Sequence, residues 1–133
     1  MDKMTLNDPL SNAMSTILSS EKVGRTECTI RPVSTMIKGV LDVLNEQRYI
    51  GTYTETDGKR GKTLVLNLIG KINICGVVKP RFSVQKNEYE KFEKRYLPAR
   101  DMGILIVSTS KGLMTNSDAK AKGLGGKLIA YCY

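Results

Sequence analysis

The stretch from residue 103 to residue 126, GILIVSTSKGLMTNSDAKAKGLGG, constrains the fold of this chain more than any other. It opens with an apolar, β-branched run that predicts a buried strand. A turn with three adjacent hydroxyl side chains follows at residues 108–112. Thr115 predicts the N-cap of a short helix, and Gly123 predicts its end, because Gly readily adopts the left-handed C′ conformation. A last strand is predicted at residues 127–132, so the polar loop lies between rigid elements.

The composition of this loop does not suit a usual hydrolase site. The chain contains no His, which excludes Ser-His-Asp and Cys-His arrangements. Ser108 or Ser110 with Lys111 remains a formal Ser–Lys pair, although adjacent residues on a turn rarely point at each other. Neither a dinucleotide fingerprint nor a P-loop motif occurs in the chain. A polar hairpin-like loop without chemical function is the other interpretation.

Length and composition indicate one small globular protein. The chain has 133 residues and 41% apolar residues, which suffices for one domain or for two small lobes that share a core. Its three cysteines are far apart and no His is present, so we expect no zinc site and three small buried residues in a reducing compartment. No apolar run is long enough to span a membrane, and no signal-peptide pattern opens the chain, which predicts a cytoplasmic protein.

The charge of the chain is distributed unevenly. Residues 1–70 hold nine basic and eight acidic side chains, whereas residues 71–133 hold twelve basic and five acidic ones. Most of the net charge of +8 therefore lies in the half that carries the hydroxyl loop. A basic surface beside small polar groups is typical of a protein that binds a polyanion, and nucleic acid is the expected partner. The alternative is a solvated basic surface that maintains solubility.

The hydrophobic patterns predict an α+β fold with two small α/β lobes. The first lobe, at residues 1–70, is predicted to have the order α-β-α-β-β, with both helices on one face of a three-stranded sheet. The second lobe, at residues 71–133, is predicted to be mainly β with short helices. Its excess of basic side chains and its hydroxyl loop predict that this lobe contains the nucleic-acid-binding surface. An aromatic stripe in its first helix is interpreted as core, and the charged residues of that helix as a solvated face.

The first predicted helix has an unusual polar face. Asp8 and Pro9 predict its start, and its exposed face carries small uncharged side chains that include Asn12, Ser15 and Thr16. A solvated helix face normally carries Lys and Glu. These residues can form an ordinary polar face, or a surface that approaches an RNA backbone without repelling it, and the pattern favours neither.

Several motifs resemble the universal small-subunit ribosomal protein eight family across essentially the whole chain. The longest is IVSTSKGLMT at residues 106–115, and NDPL at residues 7–10, Ser34 and the pair Gly125-Gly126 fall in the family's order and spacing. Two further segments, residues 49–62 and 73–82, are similar to the archaeal and eukaryotic branch of the family. The Ser-Thr-Ser form of the loop resembles that of archaeal members.

The resemblance implies a ribosomal protein that binds a helix in the central domain of small-subunit ribosomal RNA and supports subunit assembly. It implies neighbouring ribosomal proteins as partners, and it leaves open whether messenger RNA is also bound. Lys127 stands where bacterial members often have Glu, so a Lys–phosphate contact is expected there instead. The predicted RNA-binding residues are Ser108, Thr109, Ser110, Lys111, Gly112, Gly125, Gly126 and Lys127, with Asn12, Ser15, Thr16, Arg81, Lys120 and Lys122 as further candidates.

Residue chemistry agrees with that expectation. A hydroxyl is both donor and acceptor, so small hydroxyl side chains can read 2′-hydroxyls and base edges in the wide, shallow minor groove of A-form RNA. Lysines neutralise phosphates, and glycines permit close approach. We therefore predict an RNA-binding scaffold that is not an enzyme, has no cofactor, metal or catalytic residue, and is a monomer off the ribosome. The alternatives are a translational regulator that binds messenger RNA through the same loop, and a small enzyme that uses Ser110 and Lys111.

Overall fold

The computed structural model describes residues 9–31, 34–58, 61–79, 81–99 and 102–133, and its fold class is α+β, as predicted. The chain divides into two compact units, of which the first ends at Ile72 and the second begins at Asn73. The predicted α-β-α-β-β order of the first unit is confirmed. Its elements are α1 (Pro9–Lys22), β1 (Glu27–Ile30), α2 (Thr35–Glu46), β2 (Ile50–Gly58) and β3 (Gly61–Leu68).

The two helices of the first unit form where apolar spacing predicts them. In α1, Leu10, Met14 and Ile17 form one buried stripe, whereas the predicted cap Asp8 lies outside the described residues. At the start of α2, the Ser34 hydroxyl accepts a hydrogen bond of 3.1 Å from the Ile37 amide, which satisfies a donor that the helix itself cannot pair.

The first sheet has the strand order β1-β3-β2, and both pairings are antiparallel. Cys28 and Ile30 of β1 are buried, as their alternation predicts. The sequence TDGKRG at residues 56–61 predicts a loose loop between the two strands, and this prediction is wrong, because β2 continues to Gly58 and β3 begins at Gly61. Thr56 and Thr63 face each other across these strands with their hydroxyl oxygens 2.6 Å apart, and this β-branched pair extends the ladder toward the turn.

The second unit is mainly β with short helices, which confirms the prediction. Its strands are joined antiparallel in the order β4-β8-β6-β7, and β5 also pairs with β8. The short strands β5 and β7 were not predicted. The elements are β4 (Cys75–Val77), β5 (Ser83–Val84), α3 (Tyr89–Tyr96), β6 (Ile104–Thr109), β7 (Gly112–Thr115), α4 (Asn116–Lys122) and β8 (Gly126–Cys132).

Strand β8 contains a β-bulge, which explains why three consecutive residues of this strand are buried. Ile106 and Val107 are consecutive in β6, yet their partners in β8 are Ala130 and Leu128. Ile129 is therefore the extra residue, and all three residues of β8 around this point are buried. Without the bulge, strict alternation would place every second residue on the other face of the sheet.

Aromatic side chains of α3 pack in the core of the second unit, as the stripe predicts. Tyr89 and Phe92 are buried, and the Tyr89 hydroxyl donates a hydrogen bond of 2.7 Å to the Leu124 carbonyl oxygen. This bond satisfies the polar end of an otherwise apolar ring. The buried members of the cluster are Val78, Val84, Tyr89, Phe92, Leu97, Leu105, Val107, Met114, Ala119 and Leu128.

Not all the charged residues of α3 form a solvated face. Glu93 is half-buried, and its Oε2 accepts hydrogen bonds from Lys120 Nζ at 2.7 Å and from Asn116 Nδ2. Asn116 is buried, and its Oδ1 accepts a hydrogen bond of 3.2 Å from the Leu105 amide. The interpretation as a solvated face is wrong for Glu93, because this carboxylate connects α3 to α4 directly, and to β6 through Asn116.

No helix in the described ranges has the length and apolar character needed to cross a membrane.

Replacing Asn116 should destabilise the fold, because the side chain continues the hydrogen-bond ladder of β6 where β7 ends and α4 begins. We expect Asn116→Ala to lower the free energy of unfolding by about 1–3 kcal/mol, since the buried Leu105 amide loses its acceptor. The exposed neighbour Ser117 provides the control, and Ser117→Ala should change the free energy of unfolding by less than about 0.5 kcal/mol. Urea unfolding of both variants measures the difference, and equal midpoints would contradict the assignment.

Candidate nucleic-acid interface

The hydroxyl-rich segment lies at the tip of the β6–β7 hairpin. Thr109 pairs with Gly112, so the connecting turn contains only Ser110 and Lys111. The expectation that three hydroxyls share one turn is wrong, because Ser108 and Thr109 are the last residues of β6. β-branched Thr fits an extended strand well, and the alternation of a strand sends neighbouring side chains to opposite faces.

The Thr109 hydroxyl stabilises the turn. Its Oγ1 donates a hydrogen bond of 2.9 Å to the Gly112 carbonyl oxygen and accepts one of 3.1 Å from the Lys111 amide. The same oxygen lies 3.9 Å from Met114 Sδ, so this side chain is on the Met114 face of the hairpin. Gly112 closes the turn with a φ of +110°, a value that favours Gly. The turn is therefore ordered before any ligand binds.

The other two hydroxyls of the segment are available for contacts. Ser110 is exposed and Ser108 is half-buried, and the part of the chain that the structure describes supplies no hydrogen-bond partner to either side chain. Lys111 is also exposed beside Ser110. The hairpin thus presents two uncommitted donor–acceptor groups and one cation on a rigid support.

A polar row crosses the sheet next to the hairpin. Lys127 of β8 is opposite Ser108 of β6 on one side and opposite Ser83 of β5 on the other. Residues directly opposite each other in neighbouring strands project on the same face, so the row is Ser83, Lys127 and Ser108. Ser83 and Lys127 are exposed. Sequence reasoning missed Ser83, because a strand of two residues is too short to show alternation.

The two glycines at the start of β8 are explained by close backbone packing. A Cβ on Gly125 would lie 2.6 Å from the Val84 carbonyl oxygen, and a Cβ on Gly126 would overlap the Ser108 carbonyl group. Neither glycine has a positive φ. Their role in the fold is therefore to let β8 enter the sheet between β5 and β6, and this role needs no RNA.

The remaining candidate cations of the second unit differ in availability. Lys122 near the end of α4 and Arg81 before β5 are exposed, whereas the Lys120 ammonium forms an ion pair of 2.7 Å with Glu93. A phosphate contact by Lys120 would therefore compete with an existing carboxylate. In the ranges that the structure describes, no cluster of three or more His, Cys, Asp or Glu residues could hold a metal ion.

The candidates on α1 belong to the first unit. Asn12, Ser15 and Thr16 are exposed on one side of the helix, and the Thr16 hydroxyl donates a hydrogen bond of 2.9 Å to the Asn12 carbonyl oxygen. This bond leaves the Thr16 oxygen able to accept another. A shallow groove runs along this side of the helix and is lined by Ser15, Thr16, Ser19, Ser20, Val23 and Arg25.

Substitution of Gly126 should destabilise the second unit. We expect Gly126→Ala to lower the free energy of unfolding by about 1–3 kcal/mol, because the added methyl group must displace the backbone of β6 at Ser108. Lys127→Ala, at the next and exposed position of β8, should change it by less than about 0.5 kcal/mol. Thermal and urea unfolding of the two variants measure this, and an unaffected Gly126→Ala would disprove the close contact between the strands.

A comparison with protein-family models finds a match to one family. The family described as ribosomal protein S8 matches residues 8–133, which is nearly the whole chain and includes both units.

Proposed function

The chain belongs to the ribosomal protein S8 family and is therefore a protein of the small ribosomal subunit that binds ribosomal RNA. On this premise, we propose that it binds a helix in the central domain of that RNA. The family consists of structural ribosomal proteins and not of enzymes, and its place is on the ribosome in the cytoplasm. The proposed contact is to the minor groove and the backbone of the RNA helix, through the β6–β7 hairpin and the polar row.

One observation carries this proposal, namely the two uncommitted hydroxyls of Ser108 at the end of β6 and Ser110 on the turn, in a hairpin whose turn Thr109 already holds in place. An A-form minor groove displays 2′-hydroxyls and base edges that require partners with both donor and acceptor capacity. Because the turn is ordered in advance, binding loses little conformational entropy there. In this proposal Thr109 acts on RNA indirectly, by fixing the geometry of its neighbours.

Exposed cations beside the hydroxyls supply the electrostatic part of the interface. Lys111 lies on the turn and Lys127 lies in the polar row between two serines, so phosphates on either side of a groove can be neutralised. Arg81 and Lys122 extend the positive surface in the same unit. Gly112, Gly125 and Gly126 place no bulky side chain beside these residues, and we propose that this lets the RNA approach the backbone closely.

The first unit supplies a second proposed contact. The exposed face of α1 at Asn12, Ser15 and Thr16 is small and uncharged, and it can lie against a sugar-phosphate backbone without charge repulsion. We propose that the two contacts support subunit assembly by ordering ribosomal RNA, that neighbouring ribosomal proteins adjoin the bound chain, and that the free protein is a monomer. A messenger hairpin with the same groove shape would bind the same surface, which makes translational regulation the second candidate function.

Removal of the Ser110 hydroxyl should weaken RNA binding without affecting the fold. We expect Ser110→Ala to reduce affinity for a central-domain helix roughly five- to a hundred-fold, because a group in the groove loses its partner at a cost of about 1–3 kcal/mol. The melting temperature and the dependence of affinity on salt should stay unchanged, since an exposed neutral hydroxyl contributes little to either. Titration against cognate and scrambled helices at several salt concentrations measures all three quantities.

The control for this experiment is Thr29→Ala, which removes one exposed hydroxyl from β1 of the first unit and should leave affinity unchanged. Equal affinities of wild type and Ser110→Ala for the cognate helix would remove the hairpin from the interface. Adding a messenger hairpin as competitor distinguishes the second candidate function, since displacement at comparable concentration would support regulation.

Removal of the lysines should affect salt dependence instead of target preference. We expect Lys111→Ala and Lys127→Ala each to reduce the slope of log affinity against log salt by roughly one unit or less, because each neutralises about one phosphate. Lys94→Ala removes the same charge from an exposed position on α3 and should change the slope less. Loss of target preference at an unchanged slope would show that these lysines contact bases and not phosphates.

A further inference from the structure

Two of the three cysteines face each other across neighbouring strands of the second unit. Cys75 of β4 is opposite Cys132 of β8 in an antiparallel pairing. Both are buried, with 4% and 0% of their surfaces exposed. The third cysteine, Cys28, lies in β1 of the first unit and is opposite Leu66. The chain therefore contains one potential cross-strand pair and one internal control.

The hydrogen bonds between β4 and β8 show whether Cys75 and Cys132 form a hydrogen-bonded or a non-hydrogen-bonded pair. Ile74 and Tyr133 exchange two backbone hydrogen bonds, of 2.9 and 3.0 Å, and the Val78 amide donates one of 2.9 Å to Ile129. Because hydrogen-bonded and non-hydrogen-bonded pairs alternate, the adjacent pair of Cys75 and Cys132 is non-hydrogen-bonded. Such pairs have Cα atoms about 4.5 Å apart and side chains on one face, which lies within the range of about 4.4–6.8 Å that disulfides require.

The next residues along the strands hold this register in place. Gly76 is opposite Tyr131, and a Cβ on Gly76 would lie 2.9 Å from the Tyr131 hydroxyl oxygen, so the ring covers the space above the glycine. The Tyr131 ring also stacks on Tyr96 of α3, with centroids 5.4 Å apart. A slip of β4 by one residue would place a side chain under the Tyr131 ring, so the two cysteines stay opposite each other.

From this geometry we propose that Cys75 and Cys132 are an oxidative modification site, at which an intramolecular disulfide forms reversibly while Cys28 remains a thiol. The co-reactant is a small-molecule disulfide. One thiolate attacks it, forms a mixed disulfide and releases the first small thiol; the second thiolate then attacks the protein sulfur and releases the second small thiol. The protein loses two electrons and two protons, and the small disulfide becomes two thiols.

Access to the buried sulfurs requires only local opening. β4 has three residues and stands at one end of the strand order of its sheet, and short edge strands open at lower cost than a whole domain.

Once formed, the bond would tie the first strand of the unit to β8, to which β4, β5 and β6 all pair. It would restrict the unfolded chain over a long loop, and long loops give the larger gain in stability.

The experiment uses the full chain, natively folded and treated with oxidised glutathione. We expect a product that lacks two hydrogen atoms, gives a peptide map with Cys75 joined to Cys132, and leaves Cys28 alkylatable. Its thermal unfolding midpoint should exceed that of the reduced protein by several degrees, on the order of the shift that a disulfide of this loop length supports. A reducing agent should restore the original mass and midpoint.

Two variants complete the test. Cys28→Ala should form the bond and show the full shift in unfolding midpoint, whereas Cys132→Ala should show neither. If Cys132→Ala folds poorly, the peptide map of the oxidised wild-type protein still decides the outcome. A bond that includes Cys28, a persistent glutathione adduct on Cys75 or Cys132, or oxidation only after denaturation would each overturn the proposal.

Discussion

The backbone pairing of β8 is the interaction on which the second unit depends. This strand forms hydrogen bonds with β4, β5 and β6, and so holds together segments that are far apart in the sequence. Its entry into the sheet requires Gly125 and Gly126, because a methyl group at either position would overlap the backbone of β5 or β6. The same pairing places Lys127 between Ser83 and Ser108. The geometry of the candidate interface is thus a consequence of how the sheet packs.

The hairpin shows the same relation between stability and function at a smaller scale. Thr109 uses its hydroxyl to hold the turn, and this leaves the neighbouring hydroxyls at Ser108 and Ser110 uncommitted. A row of identical groups in the sequence therefore divides into one residue that shapes the loop and two that can bind. Lys120 is a similar case, because its charge already pairs with Glu93 in the folded chain.

Periodicity and capping predicted the elements that are long enough to show a pattern. The buried stripes of the helices, the Thr115 cap and the Gly123 helix end lie where the sequence analysis places them. Strand β5 was missed because two residues cannot establish an alternation. Strand β7 was missed because its residues do not alternate between buried and exposed, and because Gly112 and Thr115 were assigned to a turn and a helix cap. The contacts of Glu93 and the close packing that requires Gly126 involve residues that are distant in sequence. Local sequence patterns therefore could not predict them. Ser83 became visible as a candidate only through its register with Lys127.

The two sheets also differ in how far apart their paired segments lie along the chain. β2 and β3 pair from Gly58 and Gly61 outward, so their contacts are local, whereas β4 meets β8 with Cys75 opposite Cys132. Contacts between distant segments form more slowly, because the entropy cost of closing a long loop comes before the stabilising hydrogen bonds form. The sheet of the first unit can therefore form from its hairpin, while that of the second must wait for β8 to reach β4. During this interval the edges of β4 and β6 are unpaired, so the unit that carries the RNA-binding hairpin is the one more exposed to aggregation during folding.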